Sequence, residues 1–166
     1  VEKNKINNKA RMVAGYCWKW VSKSNPHAYD IEFPEHRFQM KWNLTEDGSA
    51  WIISPNSVNE IGCIHTCQGL EVDYIGVIIG PDMFVKNDLI ITDAAARAGS
   101  DSSVRGFRQL QKAKPEETRA QLDLIIKNTY RTLMTRGMKG CYVYCTDPAL
   151  SQYLKDYLKS STTTHP

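Results

Sequence analysis

Arg136 is the residue whose type and place most invite a chemical reading. It lies in NTYRTLMTRGMKGCYVYC, Asn128 to Cys145, where a helical pattern gives way to a turn and then a strand. An arginine at such a junction, with Arg131 and Lys139 close in sequence, suits a phosphate, because its planar fork of donors fits phosphate oxygens. Gly137 beside it lets a partner come near. The competing reading is a solvated basic helix end that complements the helix dipole. The residues alone leave both open.

A second polar knot, Thr66-Cys67-Gln68-Gly69, follows a strand-like run that reaches His65 and precedes Glu71 and Asp73. Polar groups bunched between two apolar strands belong at a sheet edge, where open α/β sheets bind ligands. Cys63, His65 and Cys67 alternate and could supply zinc with Cys141 and Cys145, but structural zinc favours closed C-x₂₋₄-C pairs. Core cysteines are the better reading, and no metal site is expected. A Cys67–His65 nucleophilic pair lacks an orienting acid. Val104 to Lys114 carries Arg105, Arg108, Lys112 and Lys114, either a solvated basic helix or a nucleic-acid contact. Trp18, Trp20 and Trp51 could stack on bases; packing in or near the core is the expectation for them.

The elements that must hold these groups follow from periodicity. Ile125, Ile126, Thr129, Leu133 and Met134 recur at roughly helical spacing, and Pro115 with Glu116 and Glu117 starts that helix, so it is expected over 115–136. A buried strand over Cys141–Cys145 should follow, then a helix from Asp147 or Pro148 to about Leu158. Earlier strands are expected at Arg11–Trp18, Tyr29–Phe33, Phe38–Trp42, Ala50–Ile53 and Tyr74–Ile79. A hairpin over 83–92 would turn at Asn87-Asp88. Asp93 is expected to cap Ala94–Ala98. Residues 1–10 read as a flexible or partial N-terminal segment, 81–114 as an insertion, and 160–166 as a disordered tail.

With 166 residues, 42% of them hydrophobic, the chain has enough for one core and is short for two. A net charge of +3 permits a nucleic-acid partner without requiring one. No apolar run is long enough to span a bilayer, so no membrane partner is expected. Five cysteines, an odd number set in apolar runs, read as reduced and cytoplasmic. A start at Val1 without signal-like regions reads as a cut from a longer protein.

HTCQGLEVDYIGVIIG resembles motif V of the superfamily 1 helicases, and YRTLMTRGMKGCYVY resembles their motif VI. With VAGYCWKW (Val13 to Trp20) and NEIGCIHTCQGLE in order, the chain is similar, from about Arg11 to Cys145, to the bacterial and phage family of Schlafen-type helicase domains. The resemblance implies an α/β, RecA-like P-loop NTPase fold with a mainly parallel sheet and helices on both faces, the second (C-terminal) motor domain of an ATP-dependent helicase or translocase. It implies that Arg136 is the arginine finger toward the γ-phosphate. Gly69 and Glu71 would meet the nucleotide, Glu71 at its ribose, and Gln68 would couple nucleotide state to strand binding. His65 and Thr66 would face single-stranded DNA or RNA. The phosphate-binding loop and the Mg²⁺-holding acids would lie on the N-terminal RecA-like domain of the same protein. No G-x-x-x-x-G-K-[ST] occurs here, so this fragment alone is expected to be inactive with ATP and Mg²⁺. Gly137 departs from the commoner alanine, and Arg131 stands where a small or apolar residue is usual. The alternative is a nucleic-acid or protein binding module with vestigial motor residues.

Overall fold

The computed structural model describes residues 2–43, 50–67 and 71–163. Strands β1 (Ala10–Ala14), β2 (Ile31–Phe33), β3 (Phe38–Trp42), β4 (Glu60–Gly62), β5 (Val72–Ile79) and β8 (Gly137–Cys145) form one sheet in the order β2-β3-β4-β1-β5-β8. All neighbours pair in parallel except the antiparallel edge pair β2–β3. β6 (Met83–Lys86) and β7 (Leu89–Thr92) make a separate hairpin. Helices are α1 (Asn4–Asn7), α2 (Phe107–Ala113), α3 (Pro115–Met134) and α4 (Pro148–Thr163).

One face of the sheet is covered by helices. Val13, Val72, Ile75, Val77 and Ile79 pack with Ile126, Tyr130 and Leu133 of α3 and Leu150 of α4. The stripe on α3 (Thr118, Leu122, Ile126, Thr129, Tyr130, Leu133) recurs at three- and four-residue steps, the spacing that keeps side chains on one helical face. Proline stands in its first turn beside Glu116 and Glu117, where a missing N–H costs nothing and the dipole favours acids. On the second face Ala14, Ile31, Trp42, Ile61 and Ile78 are joined by Tyr16, Trp18 and Trp20 from the segment after β1. Among the described residues no helix contributes to that cluster, so the expectation of helices on both faces is corrected to one.

Several boundaries also differ. β1 stops at Ala14 and not at Trp18. Gly15 N–H still pairs with Ile78 O at 3.1 Å, but a Cβ at position 15 would fall on the Tyr130 hydroxyl, and the chain turns away through Cys17 N–H to Gly15 O at 2.8 Å. Residues 50–53 form a turn, with Ile53 and Ser54 N–H both on Ala50 O at 3.0 Å, and not a strand. The run expected to reach His65 as a strand ends at Gly62 and coils. β8 begins at Gly137, four residues before the expected Cys141, and is an edge strand with Cys141, Tyr142 and Val143 exposed. α3 ends at Met134, and α4 continues to Thr163, past Leu158. The hairpin turns where expected, with Asn87 and Asp88 at φ 52° and 58°, the left-handed pair that a two-residue connection needs. Asp93 caps a shorter 3₁₀ turn, Ala94–Ala96, accepting from Ala95 N–H. Arg11 ties α1 to the sheet, donating to Asn4, Asn8 and the Ser54 carbonyl.

Candidate functional site

Every parallel strand starts at one rim of the sheet and ends at the other, and the groups singled out in the sequence divide between those rims. At the amino rim α3 ends and β8 begins. Arg136 N–H bonds Leu133 O at 3.2 Å, and its carbonyl accepts from Val72 N–H at 2.9 Å, which joins the helix end to the start of β5. The half-buried guanidinium donates Nε–H to Thr132 O at 3.2 Å. That contact completes the helix C-terminus, as a basic side chain there should. Its terminal nitrogens have no hydrogen-bond partner among the described residues. Gly137 is required by close approach: a Cβ there would lie 2.8 Å from Ile75 Cγ2 and 3.1 Å from Ile75 N. The pairing slips between Val72 and Tyr74, so β8 bulges as it enters the sheet.

Glu71, exposed, directly precedes β5 on this rim. Gln68 and Gly69 lie outside the described residues. Cys67 is within electrostatic reach of Arg136: burial and the neighbouring Cys63 push its thiol up to about 12, against a downward pull from Arg136. Arg131 is exposed.

At the carboxyl rim, the chain leaves β1, β3 and β4 around a hollow of about 370 Å³ lined by Tyr16, Trp20, Asn43, His65, Thr66 and Ser102, among others. Thr66 Oγ1 donates to Asn43 Oδ1 at 2.9 Å and accepts from Cys63 N–H at 3.3 Å. His65 Nε2 stands 3.4 Å from Ser102 Oγ. Arg105 lies three residues beyond Ser102 and is exposed, as is Lys112 on α2; the Arg108 side chain is outside the described atoms. His65 and Thr66 are thus together, and the structure joins to them Asn43, Tyr16 and Ser102, which are too dispersed in the chain to have been found by spacing. Trp51 and Trp42 are fully buried, whereas Trp18 and Trp20 are half-buried.

A second group missed in the sequence lies behind this hollow. Tyr130 donates to Asp82 and accepts from Gly80 N–H at 2.9 Å. Asp82 also binds Arg97 Nη1 at 2.9 Å, and Arg97 Nε donates to Asp101. The charged side chains are fully buried. Burial would lower the Arg97 pKa, but Asp101 and Asp82 outweigh it and hold the pKa above its ordinary value. Burial and the surrounding charges raise that of Tyr130. The only hint in the sequence is an arginine set among alanines and glycine in DAAARAGSD.

A mostly parallel sheet with helices laid against it and ligand-type groups at both rims has the RecA-like, helicase-type arrangement. The chain belongs to the Schlafen group 3 DNA/RNA helicase domain family, whose model matches residues 1–147. It is also similar to an uncharacterized protein of Saccharomyces cerevisiae, YPL245W, at 27% identity over 157 residues, covering 92% of this chain and 33% of that protein. The chain thus spans about a third of that relative's length. No solved structure matches. No described helix is long and apolar enough to cross a membrane.

Proposed function

We propose that this chain is the second, C-terminal RecA-like motor domain of an ATP-dependent nucleic-acid helicase or translocase, with Arg136 as its arginine finger. The observation that carries the reading is the opposition of two sets of groups: at one rim a guanidinium whose terminal nitrogens have no partner among the described residues, and at the other the His65–Thr66 hollow. A motor needs both, and needs them on one rigid body, so that a change at the nucleotide moves the grip on the nucleic acid.

In this reading the nucleotide sits between Arg136 and the N-terminal motor domain, which supplies the phosphate-binding loop and the Mg²⁺ ligands. Among the described residues no group of His, Cys, Asp and Glu could hold a metal ion. Arg136 stabilises the negative charge that spreads over the transferred phosphoryl oxygens. Its Nε–H bond to Thr132 O fixes the plane of the fork while the terminal nitrogens stay available. Glu71 accepts from the ribose, and Gln68 and Gly69, outside the described residues, are assigned to the nucleotide by the resemblance alone. His65 and Thr66 hold a single strand of DNA or RNA by its phosphates, and Arg105, Arg108 and Lys112 extend that track electrostatically. The chain by itself, lacking a phosphate-binding loop, does not hydrolyse ATP.

The test is ATP turnover of the complete protein, with and without single-stranded DNA or RNA, beside Arg136→Ala. Loss of an arginine finger should cost roughly 10³–10⁵ in turnover, while nucleotide affinity stays within a few-fold. Turnover retained in the variant refutes the assignment. Absent turnover in the wild type, with nucleic-acid binding lost on neutralising Arg105, Arg108 and Lys112, would favour a binding module.

A further inference from the structure

We infer that Tyr130, Asp82, Arg97 and Asp101 are positioning residues that couple the seat of α3 to the grip on a single nucleic-acid strand at His65. The inference rests on the functional reading above and adds to it the device that joins the two rims.

The relay is continuous. Tyr130, on α3, donates to one Asp82 oxygen; the other takes Arg97 Nη1 at 2.9 Å. Arg97 Nε donates to Asp101, whose second oxygen accepts from Ser103 N–H at 2.9 Å and Ser103 Oγ at 2.8 Å. The segment so held, 97–103, forms one wall of the His65 hollow. Ala98 N–H bonds Tyr16 O at 2.9 Å, Ser100 Oγ bonds the Tyr16 hydroxyl at 3.2 Å, and Ser102 meets His65. At the other end, α3 continues four residues past Tyr130 to Met134, about 6 Å of helical rise, and Arg136 follows directly after the helix cap Thr135. A pull on Arg136 by a phosphate is therefore a pull on the Tyr130 hydroxyl, and through two carboxylates on the wall.

Stability is a weak reason for such an arrangement, because a buried ionic cluster is often matched by apolar packing. Arg97 Nη2 is, moreover, buried with no hydrogen-bond partner among the described residues. An orphaned donor is costly, and a small shift of Asp82 or Asp101 to a two-point grip would satisfy it. The cluster thus has a second arrangement within reach, which is what a coupling element requires.

The test uses the complete protein and a fluorescein-labelled single-stranded oligothymidylate or its RNA counterpart, with affinity measured with and without a non-hydrolysable ATP analogue. Tyr130→Phe removes only the hydroxyl, and Asp101→Asn loosens the relay from its far end should the first variant fold poorly. In the wild type the analogue should change affinity by about tenfold, within the range of coupled sites. Both variants should bring that ratio close to one, while Ile126→Val, a buried change on the same helix outside the relay, should keep it. A ratio that survives in both variants overturns the relay alone. A ratio lost equally in Ile126→Val overturns it as mere loss of packing. A wild-type ratio of one overturns it too, and the Arg136→Ala turnover experiment then decides separately whether the motor reading stands.

Discussion

Gly15→Ala is the sharpest structural test of the contact between β1 and α3. A Cβ at position 15 would clash with the Tyr130 hydroxyl and lie 2.6 Å from its Cζ and 3.0 Å from its Cε1. The ring is fully buried and held by Gly80 N–H and Asp82, so it cannot swing aside without loss. Displacement removes a hydrogen bond to a carboxylate, worth about 1.5–3 kcal/mol, and one from a backbone N–H, worth about 0.5–1.5 kcal/mol. Overpacking adds roughly 1–3 kcal/mol. Partial relaxation will recover some of this, so we expect a loss of about 3–6 kcal/mol, a large share of the roughly 5–15 kcal/mol that stabilises a typical domain. Urea unfolding followed by circular dichroism would read it as a lower midpoint at unchanged slope. Adding Tyr130→Phe should recover part of the loss, because the worst overlap is with the hydroxyl, but not all, because Cζ is still too near. The double variant should therefore be more stable than the sum of the single effects. A Gly15→Ala midpoint within about 1 kcal/mol of wild type would show that β1 and Tyr130 are not so close, and would remove the basis for the relay as well.

Three further outcomes follow from local geometry. Iodoacetamide at pH 8 should modify Cys141, exposed on the edge strand, well before Cys67 and Cys145, whose thiols are pushed up chiefly by burial to about 12 and about 11; peptide mapping that finds Cys67 alkylated as fast would contradict its burial. The Asp73 carboxylate is held below its ordinary 3.8 chiefly by the hydrogen bond from Lys139, with Asn7 assisting. Its contribution to stability is therefore present above pH 3.8 and lost as pH falls through the lowered value. The stability difference between wild type and Lys139→Met, small at this exposed pair, should vanish in acid, and a difference that grows there would reverse the sign of the linkage. Asp88→Val, a β-branched residue at φ 58°, should cost about 1–2 kcal/mol where Asp88→Gly is close to neutral; equal thermal midpoints for the two would mean that the hairpin turns differently.

Helices and turns were the legible part of the fold because their signals are local. The apolar stripe of α3, its proline and its acids lie within one stretch, and Asn87-Asp88 sits between two apolar runs. Strand ends were not legible. Nothing in YCWKW says that β1 stops at Ala14, because the stop is imposed by Tyr130, more than a hundred positions away in sequence. The same remoteness explains the 50–53 segment. Trp51 and Ile52 look like strand residues because they are buried, yet they are buried from a turn, with the Trp51 indole bonded to Glu60 at 2.8 Å. Likewise, the apolar run Cys141–Cys145 reads as a central strand when it is an edge strand with one paired side.

The candidate site divides in the same way, and the division bears on how it works. Arg136 is a candidate on its sequence because it sits at the junction of two elements, visible in the periodicity around it, whereas Glu71 is a candidate through the resemblance to motif V. The carboxyl-rim hollow is built from residues on four separate segments, and the relay behind it from three segments. Their partners are chosen by the fold and not by spacing. A phosphate contact needs only a well-placed cation and can be carried by a short motif. Transmission between rims needs groups that touch across the sheet, and such groups must come from distant parts of the chain. A family resemblance carried by short motifs therefore points to the two ends of the proposed motor more readily than to what would connect them. The connection has to be read from side chains such as Arg97, whose three polar nitrogens are buried, two of them paired to carboxylates and one without a partner among the described residues.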